Sequence, residues 1–433
     1  MMTLSETTET MLQASRHAAY TMAVLTTEQK NKALLTFADL IEAHADFLLA
    51  ENAKDLKDQE GQIAPAMYQR LGLNPGKLQQ LVQGIRDVAG LPDPVGHILD
   101  KTQLDDGLVL EKITVPLGVI GIIFESRPDV IPQILSLILK SGNAVVLKGG
   151  REATHSNQAF MTLVGKLNQQ LDFLPAAWAQ LVDSREAIQA ILDYPQYVDL
   201  VIPRGSNALV QQIMSSTQIP VLGHADGVCH LYVHSDADLK QAVPIAIDAK
   251  TQYPAACNAL ETLLVNREVA DKFLPDFYRA AKEKGMLLYG CAATKTILPE
   301  IEPATEDDWR TEYGDLTLAV KVVDSLGKAI EHINQYGSHH TDAILARDAD
   351  AIEAFLARVD SACVFANAST RFADGFRFGL GAEIGISTAK THARGPVGLE
   401  GLVIYKYKLR GNGQITADYV GENARPFQHK KLK

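Results

Sequence analysis

The chain has 433 residues, 46% of them hydrophobic and 21% charged, which suffices for about two to three domains with a large apolar core. Its 31 glycines and 18 prolines are an ordinary share and exclude collagen-like and low-complexity proteins. The 41 basic and 52 acidic side chains give a net charge of −11, so we expect no general nucleic-acid binding, because a polyanion requires a basic surface.

Four cysteines occur, and their spacing matches neither a redox CxxC pair nor a zinc finger: Cys229, Cys257, Cys291 and Cys363. So few thiols in a long chain indicate a reducing compartment. The N-terminus lacks the basic and apolar regions of a secretory signal, and the longest apolar run, 115–124, is too short for a membrane helix. We expect a cytoplasmic protein without membrane contact.

The first hundred residues have the spacing of amphipathic helices. Thr26 and Gln29 match a capping box, and the apolar residues that follow recur on one face as far as Leu48. The pattern predicts one helix that ends near Gly61 and another over about 76–88.

From about residue 118, strands alternate with helices. Strands are predicted at 119–124, 144–150, 179–182, 198–203 and 219–223. This alternation predicts a parallel, doubly wound sheet, whose ligands bind at the carboxyl ends of the strands. The segments FESRP, KGGREATHSN and PRGSN follow three of these strands, so they are the candidate binding loops. A second α/β block extends from about 231 to 395.

The end of the chain has a different pattern. Residues 401–416 are aromatic and alternating, which predicts β-structure. Residues 101–117 form a second extended segment. Exposed strand edges readily pair with strands of another chain. We expect this element to pair with a partner subunit.

Two predicted loops carry groups suited to phosphate. Lys148 and Arg151 flank two glycines, which allow a phosphate to approach the backbone. Gly205 and Ser206 open a helix whose amides bind anions well. Neither loop contains GxGxxG, and a solvated basic loop is the alternative for each one alone. Their position on one sheet edge favours a nucleotide site.

Cys257 is the candidate nucleophile. Ala255 and Ala256 precede it and leave room for a substrate, and Asn258 follows it. A neighbouring backbone amide can stabilise an oxyanion, but the thiol needs a positive local field to react at neutral pH. A packed structural cysteine is the alternative on these facts. His224, Asp226 and His230 lie close in the sequence, but without a third strong ligand at metal spacing we expect no metal site.

Six segments in order resemble one known family: VPLGVIGIIFESRPDV, GNAVVLKGG, VIPRGS, CNALET, YGSHHTDAI and GLEGLVIYKYKLRGNGQI. The chain resembles the gamma-glutamyl phosphate reductases, also called glutamate-5-semialdehyde dehydrogenases, of the aldehyde dehydrogenase superfamily. The resemblance extends from the N-terminal helices almost to the C-terminus. It implies a Rossmann-like NADP-binding domain (1–100 and 118–228), an α/β catalytic domain (229–400) and a small β oligomerisation element (101–117 and 401–433).

The resemblance also implies a reaction. Members of the family reduce L-glutamyl 5-phosphate with NADPH to L-glutamate 5-semialdehyde and release phosphate, in the second step of proline biosynthesis from glutamate. Cys257 lies where the superfamily keeps its nucleophile, so it is expected to form a thioester. The resemblance further implies a homo-oligomer and functional coupling to glutamate 5-kinase.

Individual site residues follow from the same resemblance. Lys148 matches the position that contacts the adenosine ribose, Arg151 suits a 2′-phosphate, and Glu383 matches the residue that binds the nicotinamide ribose. Hydrolytic relatives use a glutamate within the stretch that corresponds to 219–230, where this chain has none. His224 or Asp226 occupies that neighbourhood instead.

Hydrolytic relatives also bind the oxyanion with an asparagine, where this chain has Ser126 and Arg127. Arg127 is therefore a candidate for binding the oxyanion, the phosphate or the substrate carboxylate. Three other functions are alternatives: a hydrolytic aldehyde dehydrogenase, a cofactor-independent cysteine hydrolase and a non-catalytic scaffold. The missing glutamate disfavours a hydrolytic aldehyde dehydrogenase, and the nucleotide loops disfavour a cofactor-independent hydrolase. The presence of Cys257, Lys148 and Glu383 disfavours a non-catalytic scaffold.

Overall fold

A computed structural model describes residues 4–125, 127–182, 185–223 and 226–432. The chain forms two compact units, Met1–Val221 with Gly398–Lys433, and Leu222–Val397. Each unit has its own sheet and its own apolar core. Within the described ranges, no helix is both long and apolar enough to cross a membrane.

The described N-terminal part of the first unit is helical. Its helices are α1 (Leu4–Met22), α2 (Thr27–Ala43), α3 (Ala45–Gln59), α4 (Pro65–Leu71) and α5 (Pro75–Gly90). The predicted capping box is confirmed, because the Gln29 amide donates to the Thr26 hydroxyl and the Thr26 amide donates to the Gln29 side chain. The sequence pattern does not predict α4, since its 7 residues are too few to show a helical period.

The parallel sheet of the first unit comes next. The elements are β1 (Ile98–Asp105), β2 (Leu108–Pro116), β3 (Val119–Phe124), α6 (Val130–Ser141), β4 (Ala144–Lys148), α7 (Thr154–Gln170), β5 (Ala179–Val182), α8 (Arg185–Leu192), β6 (Leu200–Arg204) and α9 (Asn207–Ser216). Strands β3 to β6 are parallel in the order β5-β4-β3-β6, which confirms the doubly wound arrangement. The strand order reverses between β3 and β6. In a parallel sheet, a crevice forms at such a point, at the carboxyl ends of the strands.

The predicted strand at 219–223 is wrong in this sheet. Only Val221 pairs, through a single bridge to Val201. Pro220 accepts a hydrogen bond from the Val201 amide, but proline has no N–H to return to the ladder. A strand therefore cannot continue along this edge.

The second unit is an α/β block, as predicted. Its elements are β7 (Cys229–Val233), α10 (Leu239–Thr251), β8 (Leu260–Asn266), α11 (Arg267–Glu283), β9 (Leu287–Gly290), α12 (Ala292–Ile297), β10 (Glu302–Pro303), β11 (Thr317–Val323), α13 (Leu326–Tyr336), β12 (Thr341–Leu345), α14 (Ala349–Arg358), β13 (Cys363–Ala366), β14 (Gly385–Ser387) and β15 (Gly395–Val397). Seven strands, all from the described part of the chain, form the parallel order β10-β9-β11-β8-β7-β12-β13. Every residue of the central strand β8 is buried, so this strand is a rigid base for the loop before it.

The C-terminal strands return to the first unit. Strands β16 (Val403–Arg410) and β17 (Lys430–Lys431) extend the β1–β2 hairpin into an antiparallel sheet of order β16-β2-β1-β17. The predicted β-structure is confirmed, and the two extended segments pair with each other, from Val403 opposite Pro116 to Arg410 opposite Val109. Pairing with a partner subunit and the division into three functional domains stay predictions.

Candidate active site

A cavity of about 690 Å³ lies at the carboxyl ends of β3 and β4 in the first unit. Lys148 ends β4 and Arg151 follows it, and both line the cavity beside Glu125 and Glu152. Helices α8 and α9 contribute apolar lining residues: Ile188, Leu192, Leu209 and Ile213. Cationic groups beside an apolar wall, in a space of this size, fit a nucleotide.

The loop after β4 leaves little room for a side chain at its first glycine. A Cβ atom at Gly149 would clash with the Asn157 side chain, whereas one at Gly150 would meet only the carboxylate end of Glu152, which can move aside. The backbone at Gly149 therefore lies close against its neighbours, and the approach of a phosphate to this loop stays a prediction.

The Glu125 carboxylate lies at the N-terminus of α9. The Ser206 amide donates to Glu125 Oε2 at 2.8 Å, and a Cβ at Gly205 would lie 2.5 Å from the same oxygen. A carboxylate is stabilised there by the helix dipole, so a cofactor phosphate at this position must displace Glu125. Cofactor binding by Gly205 and Ser206 stays a prediction.

The other sequence candidates in and near the first unit are less informative. Arg127 is exposed between β3 and α6, and its Nη2 lies 3.6 Å from Asp129 Oδ2. Ser126 and His224 lie outside the described residues. Asp226 is half-buried on the segment that leads into β7. The roles proposed for Arg127, His224 and Asp226 stay predictions.

Cys257 lies in the second unit, in the loop between α10 and the amino end of β8. The Ala259 amide donates to the Ala256 carbonyl at 2.8 Å, which closes a tight turn around the cysteine. The Cys229 thiol donates to the Cys257 carbonyl at 3.3 Å. A Cβ at Gly227 would clash with the Cys257 backbone, so only glycine fits there. The loop is therefore held from several sides.

The residue after Cys257 connects this loop to a second segment. Asn258 is buried, and its Nδ2 donates to the Ala373 carbonyl at 2.7 Å. Two residues further on, the Gly375 amide donates to Glu383 Oε2 at 2.8 Å. The thiol loop and the predicted ribose-binding Glu383 are thus attached to one short segment, 373–375.

The charges around the thiol differ from the positive field that a reactive cysteine needs. Burial raises the pKa of Cys257 to about 12, and the negative charges of Glu312 and Glu383 add to this rise, while Arg371 opposes it. The thiol is therefore protonated at neutral pH in these surroundings. Glu312 also accepts a hydrogen bond from the Gly227 amide at 3.0 Å.

Sequence reasoning identified Glu383 by resemblance but missed Glu312 and Arg371. A signal existed for Arg371, because it begins an arginine pair in the largely apolar run RFADGFRFGL just before Glu383. Arginine in such a run favours a buried or ligand-binding role. No comparable signal marks Glu312, which lies in a polar segment far from the thiol in the sequence.

The two half-buried cysteines are expected to react differently. Burial by itself would raise the pKa of Cys291, but hydrogen bonds with Thr294 and nearby amides bring it below its usual value. Without added substrate, iodoacetamide at about pH 7 should modify Cys291 faster than Cys257. Modification of Cys257 should accelerate about tenfold per pH unit up to about pH 9. Mass spectrometry of the two peptides measures both rates, and a plateau for Cys257 below about pH 9 would contradict the raised pKa.

Comparison with known proteins identifies the family. Residues 3–286 match the model of the aldehyde dehydrogenase family. Gamma-glutamyl phosphate reductase of Synechococcus sp. (strain JA-3-3Ab) is 53% identical, over 97% of this chain and 93% of its own length. Gamma-glutamyl phosphate reductase 1 of Synechocystis sp. (strain ATCC 27184 / PCC 6803 / Kazusa) is 53% identical over 98% of each chain. The crystal structure of gamma-glutamyl phosphate reductase from Thermotoga maritima superposes with a TM-score of 0.92 at 39% identity, covering 94% of this chain and 99% of that one. The chain therefore belongs to the gamma-glutamyl phosphate reductases, a branch of the aldehyde dehydrogenase family of oxidoreductases.

Proposed function

We propose that the protein reduces L-glutamyl 5-phosphate to L-glutamate 5-semialdehyde with NADPH and releases phosphate, in the second step of proline biosynthesis from glutamate. The observation that carries this proposal is the 53% identity, over 97% of the chain, to a relative named for this reaction. The held thiol loop and the cation-lined cavity support it, since the reaction needs a nucleophile and a nucleotide site.

Cys257 performs the first chemical step. Its sulfur attacks the C5 carbonyl carbon, the S–C bond forms, and the C–O bond to phosphate breaks with its electron pair leaving on phosphate. The thiol proton passes to the leaving phosphate oxygen, so the step forms the thioester and releases hydrogen phosphate. The Cys257 backbone amide lowers the pKa of its own thiol, so it lies near the sulfur and can donate to the oxyanion of the attacked carbonyl.

Cys257 is then released in the second step. When bound, NADPH supplies a hydride, with its two electrons, for transfer to the thioester carbon. The C–S bond breaks, the aldehyde carbonyl forms, and Cys257 returns as thiolate. Overall, acyl phosphate, NADPH and one proton give aldehyde, NADP⁺ and phosphate.

The residues of the first unit fit a nicotinamide dinucleotide. Lys148 suits the adenosine ribose and Arg151 the 2′-phosphate, since both line the same cavity. Gly205 and Ser206 are assigned to the cofactor phosphates, and Glu383 of the second unit to the nicotinamide ribose. The two glycines after Lys148 have no side chains of their own to keep a phosphate away from the backbone.

Arg151 is expected to set the preference for NADPH. Arg151→Ala should raise the KM for NADPH roughly 10- to 100-fold, the usual worth of charge-assisted hydrogen bonds. The KM for NADH should change less than about threefold, because NADH lacks the 2′-phosphate. Steady-state kinetics with both cofactors measures this, with the surface variant Arg86→Ala as the control. Equal losses for both cofactors would contradict the assignment.

Three further properties belong to this proposal. Strand β16 presents Tyr405, Tyr407 and Leu409 to solvent, and beyond β2 the described residues include no strand paired with it, which supports a homo-oligomer built on this element. An acyl phosphate is made by phosphoryl transfer to a carboxylate, so coupling to glutamate 5-kinase supplies the substrate. The cytoplasm is the compartment that keeps Cys257 reduced.

The reverse reaction tests the proposed function. Glutamate 5-semialdehyde, in equilibrium with pyrroline-5-carboxylate, should reduce NADP⁺ only when inorganic phosphate is present. A rate that is independent of phosphate, with free glutamate as the product, would establish a hydrolytic aldehyde dehydrogenase instead. Absence of NADPH binding in a fluorescence titration would favour a cofactor-independent hydrolase.

A further inference from the structure

Arg371 is a buried cation next to the thiol loop, and the mechanism above gives it no role. It lies in the short helix Thr370–Phe372 and is 9% exposed. Its Nε donates to Gln252 Oε1 at 2.9 Å, and Gln252 begins the loop that carries Cys257. Among the described residues, no carboxylate pairs with its guanidinium within 4.0 Å.

The surroundings of Arg371 hold it in place. Arg377 Nη1 donates to the Arg371 carbonyl at 2.7 Å, and the Tyr253 ring lies 5.9 Å from the guanidinium carbon. The nearby Ala373 carbonyl accepts from Asn258, the residue after Cys257. Arg371 therefore keeps a fixed position relative to the thiol loop.

A cation in this position is unfavourable unless an anion binds to it. Burial lowers the pKa of Arg371 and the charge of Arg377 lowers it further, while the charges of Cys257, Asp374 and Asp248 oppose this change; a guanidinium nevertheless stays protonated in proteins. A buried cation without a directly paired counter-ion is unfavourable. A site that binds an anionic ligand explains why such a residue is present.

The substrate brings the anion. In an acyl phosphate, a single oxygen separates the phosphorus from the carbon that the sulfur attacks. Glu312 and Glu383, whose charges act on the thiol, would repel a phosphate dianion there. A fixed guanidinium offsets this repulsion and forms paired hydrogen bonds with phosphate oxygens.

We propose that Arg371 binds the phosphoryl group of the substrate and stabilises the leaving phosphate when Cys257 attacks. As the C–O bond breaks, its electron pair adds negative charge to the phosphate. The guanidinium stabilises this charge through hydrogen bonds and its own positive charge, and it neither gains nor loses a proton. This inference rests on the proposed function and names the residue that selects a phosphate-bearing substrate.

The test uses Arg371→Gln in the reverse reaction, with Arg279→Gln, an arginine on the exposed face of α11, as the matched control. Wild-type NADP⁺ reduction must first depend on phosphate; if it does not, the proposed function fails, whatever Arg371 does. The variant should raise the KM for inorganic phosphate on the order of 10- to 100-fold. The KM for glutamate semialdehyde should stay within about twofold, as should both constants of the control.

Other outcomes overturn the inference. A raised KM for the semialdehyde with an unchanged KM for phosphate would place Arg371 on the substrate carboxylate. A loss of kcat with both KM values unchanged would refute the binding of the phosphoryl group, because the variant would then bind phosphate as well as the parent protein does. If circular dichroism shows that Arg371→Gln does not fold, Arg371→Lys decides, because it keeps the charge and loses the planar fork. It should raise the phosphate KM selectively, by a smaller factor, and an unchanged phosphate KM would again refute the role.

Discussion

Replacing Cys257 with alanine should lower kcat on the order of 10⁴-fold or more, the usual loss when a nucleophile is removed. Without the sulfur, no thioester forms, so the hydride has no thioester carbon to which it can be transferred. The affinity for NADPH should stay within about twofold, because the cavity assigned to the cofactor is formed by other residues. Fluorescence titration and steady-state kinetics measure the two quantities.

Cys291→Ala provides the matched control for this substitution. Cys291 is also a half-buried free thiol of the second unit, with no contact to the thiol loop among its hydrogen bonds. Its removal should leave kcat within about twofold. Substantial turnover by the Cys257 variant would refute the assigned nucleophile.

Lys250→Met should lower the free energy of unfolding by about 3–5 kcal/mol. Lys250 Nζ lies 2.6 Å from Glu261 Oε2, and both side chains are fully buried. The substitution leaves Glu261 in the interior without its cation, and burial already raises the pKa of that carboxyl to about 7. Urea unfolding followed by circular dichroism compares the variant with the parent protein.

The double variant Lys250→Met, Glu261→Met separates charge from packing. It replaces both ions with apolar side chains of similar length, so most of the lost stability should return. If the double variant is as unstable as Lys250→Met alone, the cost arises from packing or from the lost Gly314 hydrogen bond to Glu261. That result would contradict the explanation by an unpaired charge.

Local patterns predicted much of the fold. The capping box at Thr26 and the strand at Val119–Phe124 depend on residues adjacent in the chain, and adjacent residues are what periodicity reports. The strand predicted at 219–223 fails because Pro220 cannot donate to the ladder. Small neighbouring residues made Cys257 a candidate among the four cysteines, and the resemblance favoured the nucleophile over a packed structural cysteine.

The general rule for ligand sites located only part of the site. It directs attention to the carboxyl ends of parallel strands, and the cavity beside Lys148 lies there. Cys257 instead precedes the amino end of β8. Glu312 precedes the amino end of β11, in a segment that the rule does not inspect, which is why it was missed.

The amino-acid order alone indicated the α/β alternation, the glycine loops and, through the resemblance, the family and a candidate nucleophile. The folded chain decided the surroundings of that candidate. Asn258 and Ala373, 115 residues apart, hydrogen-bond to each other, and this contact brings the Arg371 segment to the thiol loop. A buried thiol responds to the sum of all nearby charges and to its desolvation, and both depend on distances that are created only when remote segments pack together.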